Sequence, residues 1–512
     1  MDYRQVLKSR KILKHALILS IQNRYITRNL GAHRIATFLR EQGWDIEVVD
    51  YVGFWPREQL LELVKSRITN DTVFLGFSDP WSSAGIPQEV TDGFHVAAKW
   101  AKDNFPQIKT IVGSQKASSS LLQMDYYVEG FGEYAMLAVV QNILGTSTEK
   151  LKYSLFRNGK LVKGNDYPAI FMQDLFVKYE PRDFVYPGDQ LGLEWSRGCK
   201  FSCDFCNFFP LNVKGDNFRH VQNYIDNIKY LNDEYGVTTF FSSDSTGNVS
   251  PEKLALFGEE TQKQLNFTPW ICAFTRVDLM ISHPETWDSM LAMGYTGHHY
   301  GIDTLNHQTG KSIKKGMHPD RVKQGLKDID AYFSKNSTYR TRLSLIAGLP
   351  YETYDTFLDG AVWIFENLPN ANSFSYPLWI PHPSMYDPDN RSLISLDYEK
   401  YGYVDLMKDS GGHAGSQEID WYNHITNTTY EGMKDIVLNN PLLVERELLT
   451  SPWLLGEIML TTGLTFDEAA EVRWLDRREY HGLSGEAPEF YAKDGAYNYI
   501  KNYITDKLNW QK

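Results

Sequence analysis

The residues with the clearest chemistry lie at positions 195–206, where three of the four cysteines of the chain occur. Cys199, Cys203 and Cys206 follow one another at spacings of four and then three residues. Thiolates are soft ligands that suit both iron–sulfur clusters and zinc. A closed site of either kind usually takes four protein ligands. Three thiolates on a four-iron cluster would therefore leave one iron open to a ligand that is not protein.

The pattern around these cysteines, Arg-Gly-Cys-x-x-x-Cys-x-x-Cys with an aromatic residue before the last cysteine, resembles the cluster loop of radical S-adenosylmethionine (SAM) enzymes. The resemblance implies a [4Fe–4S] cluster whose open iron is chelated by the amino and carboxylate groups of SAM. It also implies an electron donor such as flavodoxin or ferredoxin, because an electron from the cluster splits SAM into methionine and a 5′-deoxyadenosyl radical. A zinc site and three buried structural thiols are the alternatives, and zinc would need a fourth ligand such as the distant Cys272.

Length and composition limit the class of protein. A chain of 512 residues is long enough for two or three domains, and 42% hydrophobic with 23% charged residues is an ordinary globular composition. The net charge of −12 argues against a large nucleic-acid surface and favours a small-molecule or peptide substrate. We predict no membrane span, because no apolar run approaches the ~20 residues required, and we see no signal peptide. Few cysteines, grouped as ligands, favour a reducing cytoplasm.

Strand and helix patterns alternate across residues 1–145. The predicted strands are 15–21, 46–51, 73–78 and 108–114. Such alternation is typical of an α/β fold with a doubly wound parallel sheet, whose ligands bind at the carboxyl ends of the strands. We therefore predict a Rossmann-like domain over 1–145, with ligand loops near 22–31, 79–86 and 113–120. Residues 146–188 show no sustained periodicity and are predicted to be a connector.

This N-terminal region resembles the cobalamin-binding-type domain that precedes many radical SAM barrels. The resemblance is carried by Gly31 at the start of the first helix, by the EQGWDIEVVDY run that leads into the second strand, and by the YVEGFGE run at 127–133. The histidine-ligand motif Asp-x-His-x-x-Gly is absent, and His33 lies inside the helix, so we expect no lower axial histidine. The double glycine usual after the fourth strand is here Gly113–Ser114. Cobalamin binding and a structural or vestigial domain are the two interpretations.

The strand–helix alternation resumes over residues 189–385 and predicts a partial (β/α)6 barrel, as the resemblance also implies. The predicted strands are 191–196, 238–243, 271–275, 297–303, 340–346 and 374–380, and the predicted helices are 219–235, 251–264, 284–293, 319–334 and 354–367. The cysteine loop follows the carboxyl end of the first strand, where parallel barrels place their chemistry. Residues 386–512 are predicted to form a mainly helical C-terminal domain.

The resemblance assigns SAM contacts to the ends of the later strands. Asp244 stands where the family binds the SAM amino group, and a turn or helix N-cap role is the alternative. Asp303, in Gly-Ile-Asp-Thr, stands where a glutamate one methylene longer accepts the ribose hydroxyls. Arg340 and Arg342 share one strand face, and one of them is expected to reach the SAM carboxylate. Gly348, in the Gly-Leu-Pro run, is expected where the backbone approaches adenine.

Each of several other residues has two possible roles. Arg276 pairs either with a carboxylate in the site or with the aspartate two residues later. Cys272 is either a buried inert thiol or a site residue, and one of His298 and His299 should point into the barrel and the other out. His413, in a glycine-rich stretch, belongs either to a lid over the barrel mouth or to an ordinary surface loop.

These features predict a radical SAM enzyme in which the deoxyadenosyl radical abstracts a hydrogen atom from the substrate. With cobalamin bound, we expect methyl transfer to an unactivated carbon; without it, we expect rearrangement, oxidation or ring chemistry. A methylthiotransferase is disfavoured, because the N-terminal domain has no cysteines for a second cluster. The competing class is a non-catalytic binding protein stabilised by a metal.

Overall fold

Two parallel sheets and one small antiparallel sheet organise the chain. The computed structural model describes residues 14–21, 28–79, 88–115, 117, 122–168, 175–206, 218–369, 371–380, 392–406, 419–443 and 496–510. Within these residues, no helix combines the length and the apolar character that a membrane crossing demands.

The N-terminal sheet has seven strands in the order β2-β1-β3-β4-β5-β7-β6, and every neighbouring pair is parallel except β6 and β7. Its strands are β1 (His15–Ser20), β2 (Asp45–Val49), β3 (Thr72–Ser78), β4 (Lys109–Ser114), β5 (Tyr126–Glu129), β6 (Ser154–Phe156) and β7 (Gly159–Lys163). The helices are α1 (Leu30–Glu41), α2 (Arg57–Arg67), α3 (Gln88–Asn104) and α4 (Glu133–Leu144). The predicted doubly wound sheet is confirmed. The β6–β7 hairpin lies within the segment predicted as a connector, because strands of three and five residues are too short to show a period.

The central sheet has six parallel strands, each paired with the strand before it. Its strands are β8 (Gln190–Leu193), β9 (Thr239–Ser242), β10 (Trp270–Thr275), β11 (Tyr295–Asp303), β12 (Arg340–Ala347) and β13 (Asn372–Pro377). Its helices are α5 (Val221–Tyr235), α6 (Pro251–Gln264), α7 (Val277–Ser282), α8 (Trp287–Met293), α9 (His307–Ser312), α10 (Pro319–Asn336) and α11 (Tyr354–Asn367). Strands β8 and β13 are not paired with each other, so the barrel is open, as the partial (β/α)6 prediction required.

Local capping explains why the predicted helices match the observed ones so closely. Helix α6 begins after Ser250, whose side chain accepts a hydrogen bond from the Lys253 amide, and a proline occupies its first turn. Helix α11 begins with a capping box between Thr353 and Thr356. Helix α5 ends at Gly236, which adopts the left-handed conformation that favours glycine.

The C-terminal region combines helices with a small antiparallel sheet. Its described elements are α12 (Leu393–Leu396), β14 (Tyr403–Asp405), β15 (Trp421–Asn423), β16 (Thr428–Thr429), α13 (Tyr430–Asn439) and α14 (Ala496–Asn509). Helix α14 packs on the N-terminal domain, where the Asp50 amide donates to the Tyr503 hydroxyl at 2.8 Å and Lys507 Nζ lies 3.1 Å from Glu47. The helical patterns at 444–495 lie outside the described residues.

Candidate functional site

The loop that leaves the carboxyl end of β8 contains all three predicted cluster ligands. Cys199 and Cys206 are partly exposed and Cys203 is buried, and none of the three is in a disulfide bond. Gly198 has a φ of 85°, which lets the chain turn immediately before the first cysteine. The Cys206 amide donates to the Cys203 carbonyl at 3.0 Å, so the last two ligands share one tight turn.

Asp204, between the last two cysteines, anchors this loop to the rest of the molecule. Its amide donates to the Ile313 carbonyl at 3.3 Å, and its carboxylate lies 2.6 Å from Lys314 Nζ. The Tyr401 hydroxyl donates to the same carboxylate at 2.8 Å, and the Ile394 amide donates to the Asp204 carbonyl at 3.0 Å. The loop is therefore held by the barrel and by the C-terminal region, although no sequence motif singled out Asp204.

Three alternate residues after β9 hold the loop from the other side. Asp244, Thr246 and Asn248 are each less than 5% exposed. Asp244 contacts Ser196 at the start of the cysteine loop, and Thr246 contacts Cys199. Asn248 contacts Arg276 at the end of β10. Two of the three residues therefore contact the cysteine loop directly, and the third contacts the end of β10.

Asp244 is hydrogen-bonded within the chain through its carboxylate. Its carboxylate accepts hydrogen bonds from the Trp195 amide at 3.2 Å, from the amide and hydroxyl of Ser196, and from the Ser242 hydroxyl. Burial raises the pKa of Asp244 to about 7, and the charge of Glu194 adds to this rise. Both oxygens are occupied by donors of the chain itself, which favours the alternative prediction of a turn residue over binding of the SAM ammonium.

Thr246 and Asn248 connect this segment to the metal-ligand candidates. The Thr246 hydroxyl lies 3.4 Å from Cys199 Sγ. The Asn248 amide group accepts from the Arg276 backbone N–H at 2.9 Å and donates to the Arg276 carbonyl at 3.0 Å. The position of Arg276 is thereby fixed through its backbone.

Arg276 joins the end of β10 to the cysteine loop. Its guanidinium donates to both oxygens of Asp278, at 2.9 and 2.6 Å, and lies 3.7 Å from the centre of the Phe201 ring. Its Nη1 donates to Cys203 Sγ at 3.5 Å. Burial opposes the charge, but Asp278 and the Cys203 sulfur hold the pKa of Arg276 above its ordinary value. Arg276 pairs with its neighbouring aspartate and also contacts the cysteine loop.

Asp303 ends β11 close to the same loop. It has a φ of 63°, a conformation that aspartate tolerates better than most residues. Lys315 forms an ion pair with its carboxylate and donates to the Gly301 carbonyl. Lys315 Nζ also lies 5.9 Å from the centre of the Phe205 ring, beside the last cysteine. Lys315 had no motif in the sequence, because it follows a short helix whose position only the fold defines.

The histidine pair on β11 divides as predicted. His298 points outward and packs on Phe333 and Tyr339, with ring centres 4.6 and 5.1 Å apart. His299 points into the barrel, where its ring centre lies 4.5 Å from that of Phe274. Burial lowers the pKa of His298 to about 4 and that of His299 well below its ordinary value.

The two arginines of β12 lie at different depths. Arg342 is 1% exposed and pairs in register with His299, whose pKa its charge also lowers. Arg340 is the first residue of β12 and donates to the Tyr339 carbonyl at 2.6 Å. Seven residue steps along a strand place it about 23 Å from the carboxyl end of β12. Arg342 is two residues nearer that end than Arg340, so it is the better placed of the two for the predicted SAM contact.

Tyr376 on β13 is a further residue of this region that the sequence did not single out. Burial raises its pKa, and the charges of Asp303 and Cys206 add to the rise, while Arg342 opposes it. The Tyr376 hydroxyl therefore interacts electrostatically with Cys206 on the cysteine loop, with Asp303 on β11 and with Arg342 on β12.

Gly348 is required by packing within the chain. It has a φ of 89°, and a Cβ there would lie 2.5 Å from Cη2 of Trp421. Its amide donates to Glu352 at 3.0 Å, and its carbonyl accepts from the Tyr403 hydroxyl at 2.7 Å. The amide and carbonyl of Gly348 are hydrogen-bonded within the chain, and Trp421 fills the space beside its Cα. The predicted approach of this backbone to adenine is therefore not supported. Burial raises the pKa of Glu352 to about 8.

Several predicted features cannot be placed. The following lie outside the described residues: parts of the predicted ligand loops at 22–27, 80–87 and 118–121, the segment 381–384 after the last barrel strand, and His413.

Cys272 is fully buried on β10 and pairs in register with Phe241 and Gly297.

The N-terminal domain meets the cysteine loop through Arg197. This arginine lies 2.7 Å from Glu133, at the start of α4, and 2.8 Å from Glu194. Its guanidinium also lies 4.6 Å from the centre of the Phe131 ring, and Arg34 lies 3.4 Å from Glu133. Burial opposes ionisation, but Arg197 and Arg34 hold the pKa of Glu133 below its ordinary value. Residues of the cysteine motif and of the YVEGFGE run thus form one buried cluster.

The donor set fits a cluster with one open iron. Within the described ranges, no three His, Cys, Asp or Glu side chains converge as the ligands of one metal ion do. The thiolates that hold a four-iron cluster each bind a different iron, and soft sulfur donors are the ligands this iron prefers. Cys199, Cys203 and Cys206 lie together on one loop and supply three such donors.

Comparison with known protein families decides what this domain is. Residues 193–363 match the model of the radical SAM superfamily. The central domain is a radical SAM domain. Membership of this superfamily implies a [4Fe–4S] cluster and SAM, and the cysteine loop carries the predicted cluster ligands. No curated protein sequence matches the chain.

Solved structures resemble both halves of the chain. The radical SAM methyltransferase TsrM from Kitasatospora setae, in a structure with cobalamin and a [4Fe–4S] cluster, is 13% identical, with a TM-score of 0.58 over 78% of this chain and 81% of TsrM. The cobalamin-dependent SAM radical enzyme OxsB, with aqua-cobalamin and SAM bound, is 13% identical, with a TM-score of 0.52 over 97% of this chain and 72% of OxsB. At this identity the similarity establishes the fold, a Rossmann-like domain followed by a radical SAM barrel.

Proposed function

We propose that this radical SAM enzyme is a cobalamin-dependent methyltransferase that acts on an unactivated carbon of a small-molecule or peptide substrate. The observation that carries the proposal is the buried Arg197–Glu133 pair, which fixes the start of the cluster loop against the N-terminal domain. A vestigial domain would not need a direct, buried ionic link to the catalytic loop. The shared two-domain fold with TsrM and OxsB supports the same assignment.

Two features at the carboxyl edge of the N-terminal sheet fit a bound corrinoid. Ser20, the last residue of β1, is fully buried, and its hydroxyl has no hydrogen-bond partner among the described residues. Gly113, near the end of β4, faces open space among the described residues, because a Cβ built there meets none of their atoms within 4 Å. An orphaned hydroxyl and free space at the edge where doubly wound sheets bind ligands favour a ligand there.

His33 does not take part in this site. It is fully buried, its Nε2 lies 3.0 Å from Asp50, and its ring centre lies 4.5 Å from that of Tyr179. The corrinoid would therefore be held without His33 as a lower axial ligand, in accord with the missing histidine motif. Cobalamin, once bound, supplies the methyl group, and the cluster supplies the electron that cleaves SAM.

The protein side chains have the remaining tasks. In this proposal, Cys199, Cys203 and Cys206 hold the cluster, and Asp303, which is ion-paired with Lys315, accepts the ribose hydroxyls of SAM. Arg342, buried inside the barrel, supplies positive charge for a carboxylate.

The test begins with protein purified without oxygen from cells supplied with cobalamin. We expect cluster absorbance together with about one corrinoid per chain after gel filtration. Incubation with SAM carrying a deuterated methyl group and a reductant should release 5′-deoxyadenosine and, with the correct substrate, a deuterated methyl product. Cys203→Ala is the matched control, since it should lose SAM cleavage and keep the corrinoid. Cluster-loaded protein that binds no corrinoid would refute methyl transfer and favour cobalamin-independent radical chemistry.

A further inference from the structure

Arg276 places a positive charge directly beside a ligand of the cluster. Its Nη1 donates to Cys203 Sγ at 3.5 Å, and its side chain is 12% exposed. Cys203 is the most buried of the three cysteines of the loop. A charged donor next to a buried thiolate interacts with it more strongly than in water, because the surrounding dielectric is low.

The guanidinium is held in this position from three directions. Asp278 binds it through two hydrogen bonds, and Phe201, two residues before Cys203, stacks against it at 3.7 Å. Asn248 fixes its backbone through hydrogen bonds to both the amide and the carbonyl. A planar guanidinium suits this combination of a bidentate carboxylate and an aromatic face, which an ammonium would not match. The charge therefore keeps a fixed distance from the sulfur.

Such a contact affects the two redox states of a cluster unequally. Reduction adds one electron from an external low-potential carrier, takes the core from [4Fe–4S]²⁺ to [4Fe–4S]⁺, and requires no proton. The added negative charge spreads onto the thiolate sulfurs. Hydrogen bonds to the sulfurs and nearby positive charge therefore stabilise the reduced form more than the oxidised form and raise the reduction potential.

We infer that Arg276 sets the reduction potential of the cluster by donating a hydrogen bond to Cys203 and fixing a positive charge beside its sulfur. Arg276 is a positioning residue in this role, because it acts on the cluster through a ligand. The inference concerns electron uptake by the radical SAM domain, so it holds whether or not the enzyme binds cobalamin or transfers a methyl group.

The experiment is a potentiometric titration of anaerobic, cluster-loaded enzyme without SAM, followed by electron paramagnetic resonance of the reduced cluster. We expect the midpoint potential of Arg276→Gln to be more negative than that of the wild type. Arg321→Gln is the matched control, because it removes the same charge at an exposed position on α10. Its potential should equal that of the wild type. A wild-type potential in Arg276→Gln at equal iron content would overturn the inference.

A second substitution separates electrostatics from a loosened loop. Asp278→Asn removes the negative partner of Arg276, so the net charge near Cys203 becomes more positive and the potential should rise. A loosened loop would weaken the hydrogen bond to sulfur in both variants, and both potentials would then fall, which would contradict the inference. If Arg276→Gln does not load iron, Arg276→Lys replaces it. It should show a smaller negative shift, and an unshifted potential would again contradict the inference.

Discussion

Arg197 and Glu133 form a buried ion pair with a separation of 2.7 Å, and this pair joins the cluster loop of the barrel to the first turn of helix α4 in the N-terminal domain. The two residues are 64 positions apart in sequence. Each belongs to a short motif that the sequence analysis recognised separately. Their contact links the two domains at the start of the cysteine loop.

Replacing Glu133 by glutamine should destabilise the enzyme by about 3 kcal/mol, because Arg197 would lose a buried counter-charge. Differential scanning calorimetry would measure the change. Glu259→Gln is the control, since Glu259 pairs with Lys263 on the surface and such pairs contribute about 0.2–1 kcal/mol. Equal effects of the two substitutions would show that the Arg197–Glu133 pair does not hold the domains together.

Gly348→Ala should reduce stability by about 3 kcal/mol, because the new methyl group would clash with Trp421 in a left-handed backbone conformation. Gly188→Ala is the matched control, since a Cβ at Gly188 meets no atom within 4 Å. Urea unfolding of the two variants would measure the difference. A wild-type midpoint for Gly348→Ala would mean that the Trp421 contact is not present in solution.

Asp303→Asn should weaken SAM binding about tenfold, a loss of about 1.4 kcal/mol, because the ribose hydroxyls would lose a charged acceptor. Asparagine tolerates the left-handed conformation of Asp303, so the backbone should be unchanged. Equilibrium dialysis with labelled SAM measures the affinity. Asp320→Asn is the control, because Asp320 is an exposed carboxylate, and it should bind SAM as the wild type does. Unaltered SAM binding by Asp303→Asn would show that Asp303 does not contact SAM.

Lys507→Met should destabilise the N-terminal domain by about 3 kcal/mol. Lys507 is fully buried between Glu47 and the Arg182 carbonyl, and its loss would leave Glu47 with Arg67 as its remaining ion-pair partner. Lys501→Met, on the exposed side of the same helix, should change stability by less than about 0.5 kcal/mol. Thermal unfolding would compare them, and similar melting temperatures would contradict the docking of α14.

Glu352→Gln should change how stability depends on pH. In the folded wild type, burial raises the pKa of Glu352 from 4.5 to about 8, so its folded form binds a proton that the unfolded chain releases. The contribution of Glu352 to the free energy of unfolding is complete below pH 4.5 and is lost as the pH rises toward 8. At about 1.4 kcal/mol per pKa unit, the loss amounts to a few kcal/mol. Glutamine cannot ionise, so the variant should gain stability relative to the wild type between pH 5 and pH 9. Parallel stability profiles would show that Glu352 is ionised in the folded protein.

The sequence by itself predicted most of the barrel elements and the residues proposed as cluster ligands. Apolar periodicity, capping residues such as Ser250, and the spacing of Cys199, Cys203 and Cys206 are local signals that act within a few residues. They were sufficient for the six barrel strands and for the first four strands of the doubly wound sheet, but not for β5, β6 and β7.

Only the tertiary structure decided which partner each polar side chain receives. The donors that occupy Asp244 and the tryptophan that excludes a side chain at Gly348 come from distant segments, as does the sulfur bound by Arg276. Lys315, which pairs with Asp303, carried no sequence signal. These assignments depend on strand register and burial, which bring residues together across tens of positions. Local composition does not encode such distances, so the same residue types in the same motifs could have taken either role.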